Sequence, residues 1–591
     1  MERKGPVDID RLIDLASFEV TGREKELFEE ELAEFLGYAR VIKGAPLHLP
    51  PASHAVEKAP LYRSDVTEPI QGSGELLGNA PALRDTGYLV PPLAGSGVGA
   101  EPGRDETPAV VKEGGAWEAV IGIEVHAQLS TRSKLFCPCP AGFGGEPNNS
   151  TCPVCSGQPG ALPVLNREAV RMAVRAGLSM GCRVNRRSLF ARKNYFYPDL
   201  PKGYQISQFE EPICSGGSVE IEHEGTRKRV RLNRIHMEED AGKLVHVGAP
   251  GIWGSTASAV DFNRSSVPLI EIVTEPDLSS PGEAREFMAM LRAILLSLGV
   301  CNGNMEEGNL RCDANVSLRA PGDRELGVKV EIKNMNSLKA IERALAYEIA
   351  RLEMMKRDGV PILQETRLWD ESGQRTSTMR SKEESHDYRY FPDPDLLPLD
   401  LDDALIDSAG ADLPPLPLAR KEIYERDYYF TAPEARLFMA NPGYGTYFEK
   451  VLETYGNPRT LANWIFSEIL SYETDFDRLH IAPEDLAGFL GRIDSGEISG
   501  KIGKEILRRS FAEKRGLVEI LESEGHRQIS DRGPIEEAVE GVIASFPAQT
   551  EEYRRGKTKV LGFLVGEVMK ATKGKANPAL VNEILKKRLG P

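Results

Sequence analysis

The sequence lacks long apolar runs and the familiar phosphate-binding loops. No stretch of its 591 residues reaches the roughly 18 consecutive apolar residues of a membrane-spanning helix. The first 20 residues also lack the apolar segment of a secretory signal peptide. Neither a Walker A motif nor the glycine loop of protein kinases is present. We therefore expect a cytoplasmic protein without membrane spans, in which any nucleotide site is of another type.

Positive charge is scarce overall. The chain has 73 Lys and Arg against 89 Asp and Glu, which gives a net charge of −16. Such a balance argues against broad, non-specific binding of nucleic acid. Residues 551–591 are the exception, because ten Lys or Arg and four Glu leave that segment at +6. If the protein binds an acidic polymer, we therefore expect it to bind at this end of the chain.

The length predicts two to four domains, since single cores stop growing at roughly 250–300 residues. A Gly- and Pro-rich linker at 99–116 follows an N-terminal arm, 1–98, which combines helical and extended patterns. Residues 117–410 are rich in strand patterns. The remainder is helical, and we divide it into a helical domain, 411–525, and a basic helical tail, 526–591.

Capping and periodicity signals locate individual helices. Ser280 as N-cap, followed by Pro and then Glu, predicts a helix over 281–298. Amphipathic spacing predicts further helices over 460–470 and 556–572, and two more within 8–42.

Polar side chains recur on the faces of three predicted strands. In IGIEVHAQL, 121–129, every second residue is apolar and the alternate residues include a carboxylate and an imidazole. LRCDANVSLR, 310–319, and VKVEIKN, 328–334, alternate in the same way. Their polar faces include Glu124, His126, Asp313, Asn315 and Glu331. A sheet with one face in water explains each strand taken alone.

Two further segments add carboxylates. VPLIEIVTE, 267–275, is almost wholly apolar yet contains Glu271, which needs a partner if it is buried. RIHMEEDAGK, 234–243, ends a predicted strand with Glu238, Glu239 and Asp240, although an acid triplet is also typical of a solvated turn. If these strands share a sheet, their polar faces form one concave, oxygen-rich surface. Such a surface suits Mg²⁺ beside substrate phosphates and predicts metal-assisted phosphoryl transfer.

Four of the eight cysteines form a cluster in the sequence. They are Cys137, Cys139, Cys152 and Cys155, within a Gly- and Pro-rich segment. This spacing predicts a structural Zn²⁺ knuckle with all four positions taken by sulfur. Two reduced thiol pairs without metal are the alternative. The other four, Cys182, Cys214, Cys301 and Cys312, are isolated and are expected to be buried.

Aromatic and basic residues interleave in two stretches, 190–208 and 385–395. Rings stack on unpaired bases, and Lys or Arg contact phosphates, so these stretches suit single-stranded nucleic acid. A packed aromatic loop is the alternative interpretation.

Long motifs, taken together, resemble a known family. IGIEVHAQL, RKNYFYPDLPKGYQISQ, RIHMEEDAGK, NRSSVPLIEIVTEPD, MEEGNLRCDANVSLR, EIKNMNS and SHDYRYFPDPDLLPL resemble the B subunit of aspartyl/glutamyl-tRNA amidotransferase. The resemblance extends from Trp117 to the C-terminus. The arm, with LYRSDVTEP and LLGNAPALRDTGYLVPP, is similar to the small C subunit of that enzyme. The chain therefore resembles a fusion of the two subunits.

The resemblance implies an α+β fold, in which an antiparallel sheet forms a catalytic cradle with a zinc knuckle and an all-helical region follows. It implies that ATP and Mg²⁺ activate the side-chain carboxylate of Glu-tRNA(Gln) or Asp-tRNA(Asn) as an acyl phosphate, which ammonia then converts to the amide. A separate amidase, the A subunit, supplies the ammonia, since this chain lacks the Gly-Ser-Ser-Gly signature of that subunit. The expected assembly is a heterocomplex.

The resemblance also implies roles for individual residues. The catalytic set is Glu124, His126, Glu238, Glu239, Glu271 and Glu331. The Mg²⁺ ligands are expected first among Glu124, His126, Glu239 and Glu331. Nucleotide or substrate contacts are expected from Lys202, Tyr204, Asp313 and Asn315. His126 is either a ligand or a proton shuttle.

The helical tail resembles the domain of the family that binds the outer corner of the tRNA. The candidate phosphate contacts are Lys570, Lys573, Lys575, Lys586, Lys587 and Arg588. Two other functions remain possible on sequence alone: a zinc-stabilised module that binds tRNA without chemistry, and a metal-dependent phosphohydrolase that acts alone. The first of these does not explain the repeated acids, because carboxylates repel phosphates unless a cation lies between them.

Overall fold

A computed structural model describes residues 62–67, 83–84, 87–90, 117–247, 257–381, 388–476, 478–524, 532–572 and 576–590. All of them belong to one compact unit, Pro60–Pro591. The predicted helices within 8–42 and the linker 99–116 lie outside the described residues.

The strands are short at the edges of the fold and long at its centre. In chain order they are β1 Tyr62–Arg63, β2 Leu83–Arg84, β3 Gly87–Val90, β4 Glu118–Gln128, β5 Leu165–Asn166, β6 Arg183–Val184, β7 Arg187–Ser188, β8 Ala191–Asn194, β9 Tyr204–Ser207, β10 Cys214–Ser215, β11 Ser218–His223, β12 Thr226–Glu239, β13 Lys243–Val247, β14 Ala257–Asp261, β15 Pro268–Thr274, β16 Leu310–Arg319, β17 Val330–Lys333, β18 Glu365–Asp370, β19 Arg375–Ser381, β20 Phe391–Pro392 and β21 Leu399–Asp400.

Three helices are interspersed with the strands, and the others follow them. In chain order they are α1 Arg167–Ser179, α2 Pro281–Ser297, α3 Leu338–Arg357, α4 Asp403–Gly410, α5 Pro417–Asp427, α6 Ala432–Ala440, α7 Pro442–Leu452, α8 Pro458–Ser467, α9 Pro483–Asp494, α10 Gly500–Glu513, α11 Leu517–Glu524, α12 Arg532–Ser545, α13 Pro547–Arg554, α14 Val560–Ala571 and α15 Pro578–Leu589. None of the helices in this part of the chain is long and apolar enough to cross a membrane.

A 13-stranded sheet forms the centre of the fold. Its main path runs β19-β18-β17-β16-β4-β15-β12-β9-β8-β20, and β6, β10 and β11 join beside β12. Neighbours on this path pair antiparallel, apart from the parallel pair β17–β18. The predicted α+β class, with a largely antiparallel sheet and a helical C-terminal region, is confirmed.

One face of the sheet is core and the other is polar. On β4, Ile121, Ile123 and Val125 are fully buried, whereas the alternate residues are half-buried. Helix α2 covers the core face with Phe287 and Leu291, which belong to the same hydrophobic cluster as β4. The polar face is therefore left open to form a site.

Helix α2 begins where the sequence predicts. The Ser280 hydroxyl accepts a hydrogen bond from the backbone N–H of Glu283 at 3.1 Å, and the helix ends at Ser297. The helix predicted from residue 556 is shorter at its start. It begins at Val560, and Gly556, with φ of 95°, has a left-handed conformation that is not helical.

Three hydrophobic clusters follow one another along the chain. The first extends from Ile121 to Leu418 and contains the sheet and its helices. The second extends from Tyr424 to Leu521 and the third from Ile535 to Leu589, and both are built from helices. Each cluster gives its part of the chain an apolar core of its own.

Two pieces of the N-terminal arm pair with the body. Strand β1 pairs in parallel with β5, with Tyr62 opposite Leu165. Strand β3 adds to β14 as an antiparallel edge, with Leu89 opposite Ala259. Each piece is too short to fold alone and gains its hydrogen bonds from the body.

Candidate active site and metal centres

The central strands set polar residues side by side on the open face. His126 on β4 lies opposite Glu271 on β15 and opposite Arg311 on β16. Glu271 in turn lies opposite His236 on β12. Because directly opposed residues in antiparallel strands have Cβ atoms about 4.5–5.5 Å apart, the register alone creates a row of ionisable groups across the sheet.

His126, Glu271 and His236 line a cavity of about 440 Å³. Six of its lining residues are among the predicted site residues, namely Glu124, His126, Glu238, Glu271, Asp313 and Glu331. The other lining residues are Lys193, Ser207, Gln208, Phe209, Arg234, His236, Lys333, Thr366, Tyr388 and Tyr390. The cavity therefore combines carboxylates with two histidines, two lysines and an aromatic rim.

His126, Glu238 and Glu271 form the tightest group. The Nε2 atom of His126 lies 3.5 Å from a carboxylate oxygen of Glu238 and 3.5 Å from one of Glu271. One donor atom from each of the three lies within 4.8 Å of the others. Two carboxylates and an imidazole that converge in this way could hold a divalent cation, and the carboxylates supply the oxygen ligands that Mg²⁺ and Mn²⁺ prefer.

His236 lies beside this group on β12 and contacts Glu271. Its Nε2 atom is 3.1 Å from the Glu271 carboxylate, and its Nδ1 atom is 3.4 Å from Nε of Arg234. The Nε2 position is therefore placed to donate a hydrogen bond to Glu271. Such contacts orient a metal-ligating carboxylate.

The ionisable groups of this cluster shift one another's pKa values. Burial raises the pKa of Glu271, but the two histidines, His236 first, outweigh it and hold this pKa well below its ordinary value. Burial lowers the pKa of His126, yet the hydrogen bond and charge of Glu271 leave it raised. Burial and the charge of Glu271 raise the pKa of Glu124. Neighbouring negative charge therefore helps to raise the pKa values of His126 and Glu124, whereas the two imidazoles lower that of Glu271.

A second group lies on the neighbouring strands. The Lys333 amine is 2.6 Å from the Asp313 carboxylate and 3.0 Å from that of Glu331. Glu331 also accepts a hydrogen bond from the Thr366 hydroxyl at 2.7 Å. Asn315 lies just outside the cavity lining and donates to Glu124 at 3.0 Å. Asn315 therefore contacts the site through another side chain.

Glu239, one of the expected Mg²⁺ ligands, lies outside the cavity lining. Adjacent residues of a strand face opposite sides, so Glu238 faces the cavity and Glu239 does not. The Glu239 carboxylate pairs with Lys202 and accepts from the Ile206 backbone N–H at 2.9 Å. Tyr204, whose ring is 5.6 Å from the Lys202 amine, also lies outside the cavity lining. These three residues form a separate cluster, in which Glu239 is buried and Lys202 and Tyr204 are half-buried.

Ten cavity-lining residues were not predicted as site residues, and for three of them, His236, Lys333 and Lys193, the sequence contains a signal. His236 precedes Glu238 by two residues, and Lys333 follows Glu331 by two, so strand alternation places each pair on one face. Lys193 stands in an aromatic and basic stretch, and its amine lies 4.8 Å from the centre of the Tyr388 ring. Burial lowers the pKa of Lys193, but the charge of Glu238 leads the effects that leave it raised.

The four clustered cysteines converge as predicted. One Sγ atom from each of Cys137, Cys139, Cys152 and Cys155 lies within 4.8 Å of the others. The Sγ atoms of Cys152 and Cys155 are 3.9 Å apart. A tetrahedral Zn²⁺ with Zn–S bonds of about 2.3 Å places its sulfurs about 3.8 Å apart, so the four thiols fit this ion.

Two cations lie near the thiols. The fully buried Lys134 amine is 3.5 Å from Sγ of Cys155. Burial lowers the pKa of Arg63 in the arm, and nearby negative charge, that of Cys137 first, only partly offsets this effect. Hydrogen bonds from Cys137 and Cys139 lower the pKa of Cys152 to about 7. The pKa of Cys155 is also lowered, by hydrogen bonds from Cys137 first, whereas hydrogen bonds within the cluster raise the pKa of Cys137 and leave that of Cys139 raised. Two of the four thiols are therefore shifted toward the thiolate.

Comparison with known proteins places the chain in a family. The GatB/GatE catalytic domain matches residues 119–407, and the GatB domain matches residues 446–589. The chain belongs to the GatB family. The relative from Solidesulfovibrio magneticus is 50% identical over 481 residues, which cover 80% of this chain and 99% of the relative. It is named as the B subunit of aspartyl/glutamyl-tRNA(Asn/Gln) amidotransferase. Two further relatives have the same name. The one from Nitratidesulfovibrio vulgaris is 50% identical over 80% of this chain and 100% of the relative, and the one from Geotalea daltonii is 49% identical over 80% of this chain and 99% of the relative.

The second GatB match contains the basic tail. Lys586 and Lys587 are exposed near the end of α15 and form no ion pair with an acid in the described part of the chain. Lys570 pairs with Glu567 at 2.7 Å, and Arg588 pairs with Glu540 at 3.0 Å. Two further candidates, Lys573 and Lys575, lie outside the described residues.

Proposed function

We propose that this chain is the activating subunit of a tRNA-dependent amidotransferase, and that the carboxylate-lined cavity activates the substrate. The observation that carries this conclusion is the convergence of His126, Glu238 and Glu271 beside Lys193 and Lys333 in a GatB-family chain. The substrate is the side-chain carboxylate of Glu-tRNA(Gln), of Asp-tRNA(Asn) or of both.

The reaction has two steps. A carboxylate oxygen attacks the γ-phosphorus of ATP, the bond to ADP breaks, and an acyl phosphate forms. Ammonia then attacks the acyl carbon, inorganic phosphate leaves with the former carboxylate oxygen, and the amide remains. The first step is needed because a free carboxylate has no adequate leaving group. Positioning and charge neutralisation contribute most to phosphoryl transfer of this kind.

We assign some of the cavity residues to a divalent cation and others to the phosphate groups of ATP. His126, Glu238 and Glu271 are the residues we assign to a divalent cation, in place of the set expected from the sequence. Bound Mg²⁺ supplies neutralisation of the charge on the phosphate oxygens. Lys193 and Lys333 present ammonium groups to the same cavity. Asp313 and Glu331 both pair with Lys333 and so fix the position of its ammonium group in the cavity.

The tRNA-holding module without chemistry is the less favoured function. It explains the basic tail, and it explains the aromatic residues at the cavity rim. It does not explain the buried carboxylate of Glu238 and the half-buried one of Glu271, since these groups repel phosphates in the absence of a cation. The family of the chain also favours an enzyme, since its relatives are named as amidotransferase subunits.

The four cysteines are proposed to bind a structural Zn²⁺, because all four ligand positions are occupied by protein sulfur. The centre lies away from the cavity lining, and no chemical step is assigned to it. Its expected role is to hold the loop between β4 and β5 in place.

The N-terminal arm is proposed to be a fused C subunit. The resemblance of LYRSDVTEP is supported by the way that this segment pairs with the body through β1. Ammonia is proposed to come from a separate amidase partner, and the exposed Lys586 and Lys587 are proposed to contact tRNA phosphates together with the rest of the tail.

Incubation of the purified chain with ATP, Mg²⁺, ammonium chloride and Glu-tRNA(Gln) or Asp-tRNA(Asn) tests the proposal. We expect Gln-tRNA or Asn-tRNA, with one ATP consumed for each amide formed. Glu238→Gln is the inactive control and should retain tRNA binding. If wild-type protein binds tRNA tightly but forms no amide, even after an amidase partner is added, the holding function is the correct one.

A further inference from the structure

A second, arginine-lined groove adjoins the carboxylate-lined cavity. It has a volume of about 590 Å³, and its cationic residues are Arg183, Arg186, Arg187 and Arg234. Two acids, Glu210 and Glu211, are the only carboxylates among its lining residues, so the described lining carries a net charge of +2. This is notable in a chain whose net charge is −16.

Two of the four arginines form no ion pair among the described residues, and the other two pair only with exposed acids. Arg183 donates to the Ser215 hydroxyl at 3.3 Å and, like Arg234, has no carboxylate within ion-pair distance among the described residues. Arg187 faces Glu211 at 3.6 Å, a long contact between exposed groups. Arg186 pairs with an exposed acid. Exposed pairs of this kind contribute little, so these guanidinium groups can exchange partners for phosphates at small cost.

The groove and the cavity share a wall. Phe209 and Arg234 line both spaces. Phe209 is 48% exposed, and its ring stacks on that of Tyr390 with centroids 4.1 Å apart and an interplanar angle of 4°. One side of this pair is therefore an aromatic surface at the boundary between arginines and carboxylates. Aromatic surfaces beside basic grooves are how proteins bind unpaired bases.

We propose that this groove binds the 3′-terminal single strand of the substrate tRNA, with the arginines on its phosphates and Phe209 stacked on a base. The inference rests on the proposed function, in which the amino acid on the terminal ribose must enter the carboxylate-lined cavity. The strand that precedes this ribose must then lie against a surface that adjoins the cavity. The arginine-lined groove is such a surface and has the required charge.

ATP is the alternative occupant, and the position of the groove argues against it. The transferred phosphate of ATP must lie beside His126, Glu238 and Glu271, inside the cavity, where Lys193 and Lys333 already supply positive charge. The groove lies beyond the shared wall, and most of its arginines are exposed. A polyanion that extends outward from the cavity suits this arrangement better than a single nucleotide.

The test compares tRNA with and without its 3′ end. Arg183→Gln and the double variant R183Q/R187Q of the full chain are titrated with intact tRNA(Gln) and with the same tRNA lacking its last four nucleotides. Arg229→Gln is the matched control. It removes the same charge from an exposed arginine of β12 that lies outside the groove and has only a 3.5 Å pair with Glu220.

We expect each groove substitution to raise the Kd for intact tRNA about tenfold. The slope of log K against log salt should fall by about 0.7 for each arginine removed, the value for single strands. The truncated tRNA should bind the groove variants and the wild type equally. Arg229→Gln should change none of these values.

Three results would overturn the inference. Equal losses for intact and truncated tRNA would assign the arginines to another part of the tRNA. A raised KM for ATP with unchanged tRNA affinity would assign the groove to the nucleotide, and no change in either would leave the groove without a ligand. A wild-type chain that forms no amide would instead contradict the proposed function, which the binding comparison does not measure.

Discussion

Glu238 and Glu239 are neighbours in the chain, yet their carboxylates lie on opposite sides of β12. A carboxylate oxygen of Glu238 is 3.5 Å from Nε2 of His126, whereas the Glu239 carboxylate pairs with Lys202 and accepts from the Ile206 backbone N–H. One residue therefore faces the candidate metal site, and the next one belongs to a buried pair. Substitutions at the two positions should have different consequences.

Glu238→Gln should impair chemistry, and Glu239→Gln should impair stability. Loss of one candidate ligand at Glu238 should lower Mn²⁺ affinity and turnover by at least about 10–100-fold. Glu239→Gln leaves the Lys202 amine, 10% exposed, without its partner, and breaking a buried pair costs about 3–5 kcal/mol. Mn²⁺ titration and urea unfolding of both variants separate the two effects. Loss of Mn²⁺ affinity in Glu239→Gln at full stability would contradict the assignment.

Removal of metal from the four cysteines should lower the melting temperature before it lowers the rate of ATP chemistry. The sulfurs lie outside the cavity lining but hold the loop that follows β4. We expect about one zinc per chain in the purified protein, and less in Cys155→Ser. Cys301→Ser is the control, because Cys301 is also buried but lies outside the cluster. An unchanged melting temperature after chelation would remove the zinc assignment.

Asp65 should anchor the arm to the body. Its carboxylate accepts from the backbone N–H groups of Arg132 and Ser133, both at 2.7 Å, and from the Ser133 hydroxyl at 2.6 Å. Asp65→Ala leaves these donors without their acceptor, which costs about 1–3 kcal/mol for a buried group. Urea unfolding measures the change, and Ser64→Ala, an exposed neighbour, is the control. Equal stability of the two variants would contradict an anchoring role.

Glu434 should contribute to stability only above acidic pH. Its hydrogen bonds with Arg459, and those at the N-terminus of α6, lower its pKa from 4.5 to about 2. A group whose pKa is lower in the folded state stabilises the fold above its unfolded pKa and loses that contribution as pH falls through the folded value. The difference in unfolding free energy between wild type and Glu434→Gln should therefore be constant above pH 5 or so and shrink between about pH 4.5 and 2. A difference that does not depend on pH would contradict this.

The sequence predicted the polar face of the sheet because strand alternation is a local rule. The pattern of 121–129 placed Glu124 and His126 on one face, and the structure has them there. The same rule, applied to β12, separates Glu238 from Glu239 and adds His236. Resemblance alone had put Glu239 among the ligands, whereas the period of two along the strand indicates Glu238.

The meeting of distant segments could not be predicted in the same way. That Glu271 lies opposite both His126 and His236 depends on strand order and register, which are set by long-range pairing and not by local sequence. The arginine-lined groove joins residues from 183–187 with Arg234, and each of these segments alone is typical of a solvated surface. The pairing of β1 with β5 brings together residues about 100 positions apart.

The most direct test of the central claim is to follow the oxygen of the substrate carboxylate. Glu-tRNA(Gln) labelled with ¹⁸O in the side-chain carboxylate is incubated with the chain, ATP, Mg²⁺ and ammonium chloride. Activation as an acyl phosphate predicts that the inorganic phosphate released with each amide carries one ¹⁸O atom, and that Glu238→Gln releases none. Unlabelled phosphate accompanying the amide, or label in AMP, would contradict phosphoryl transfer to the carboxylate in this cavity.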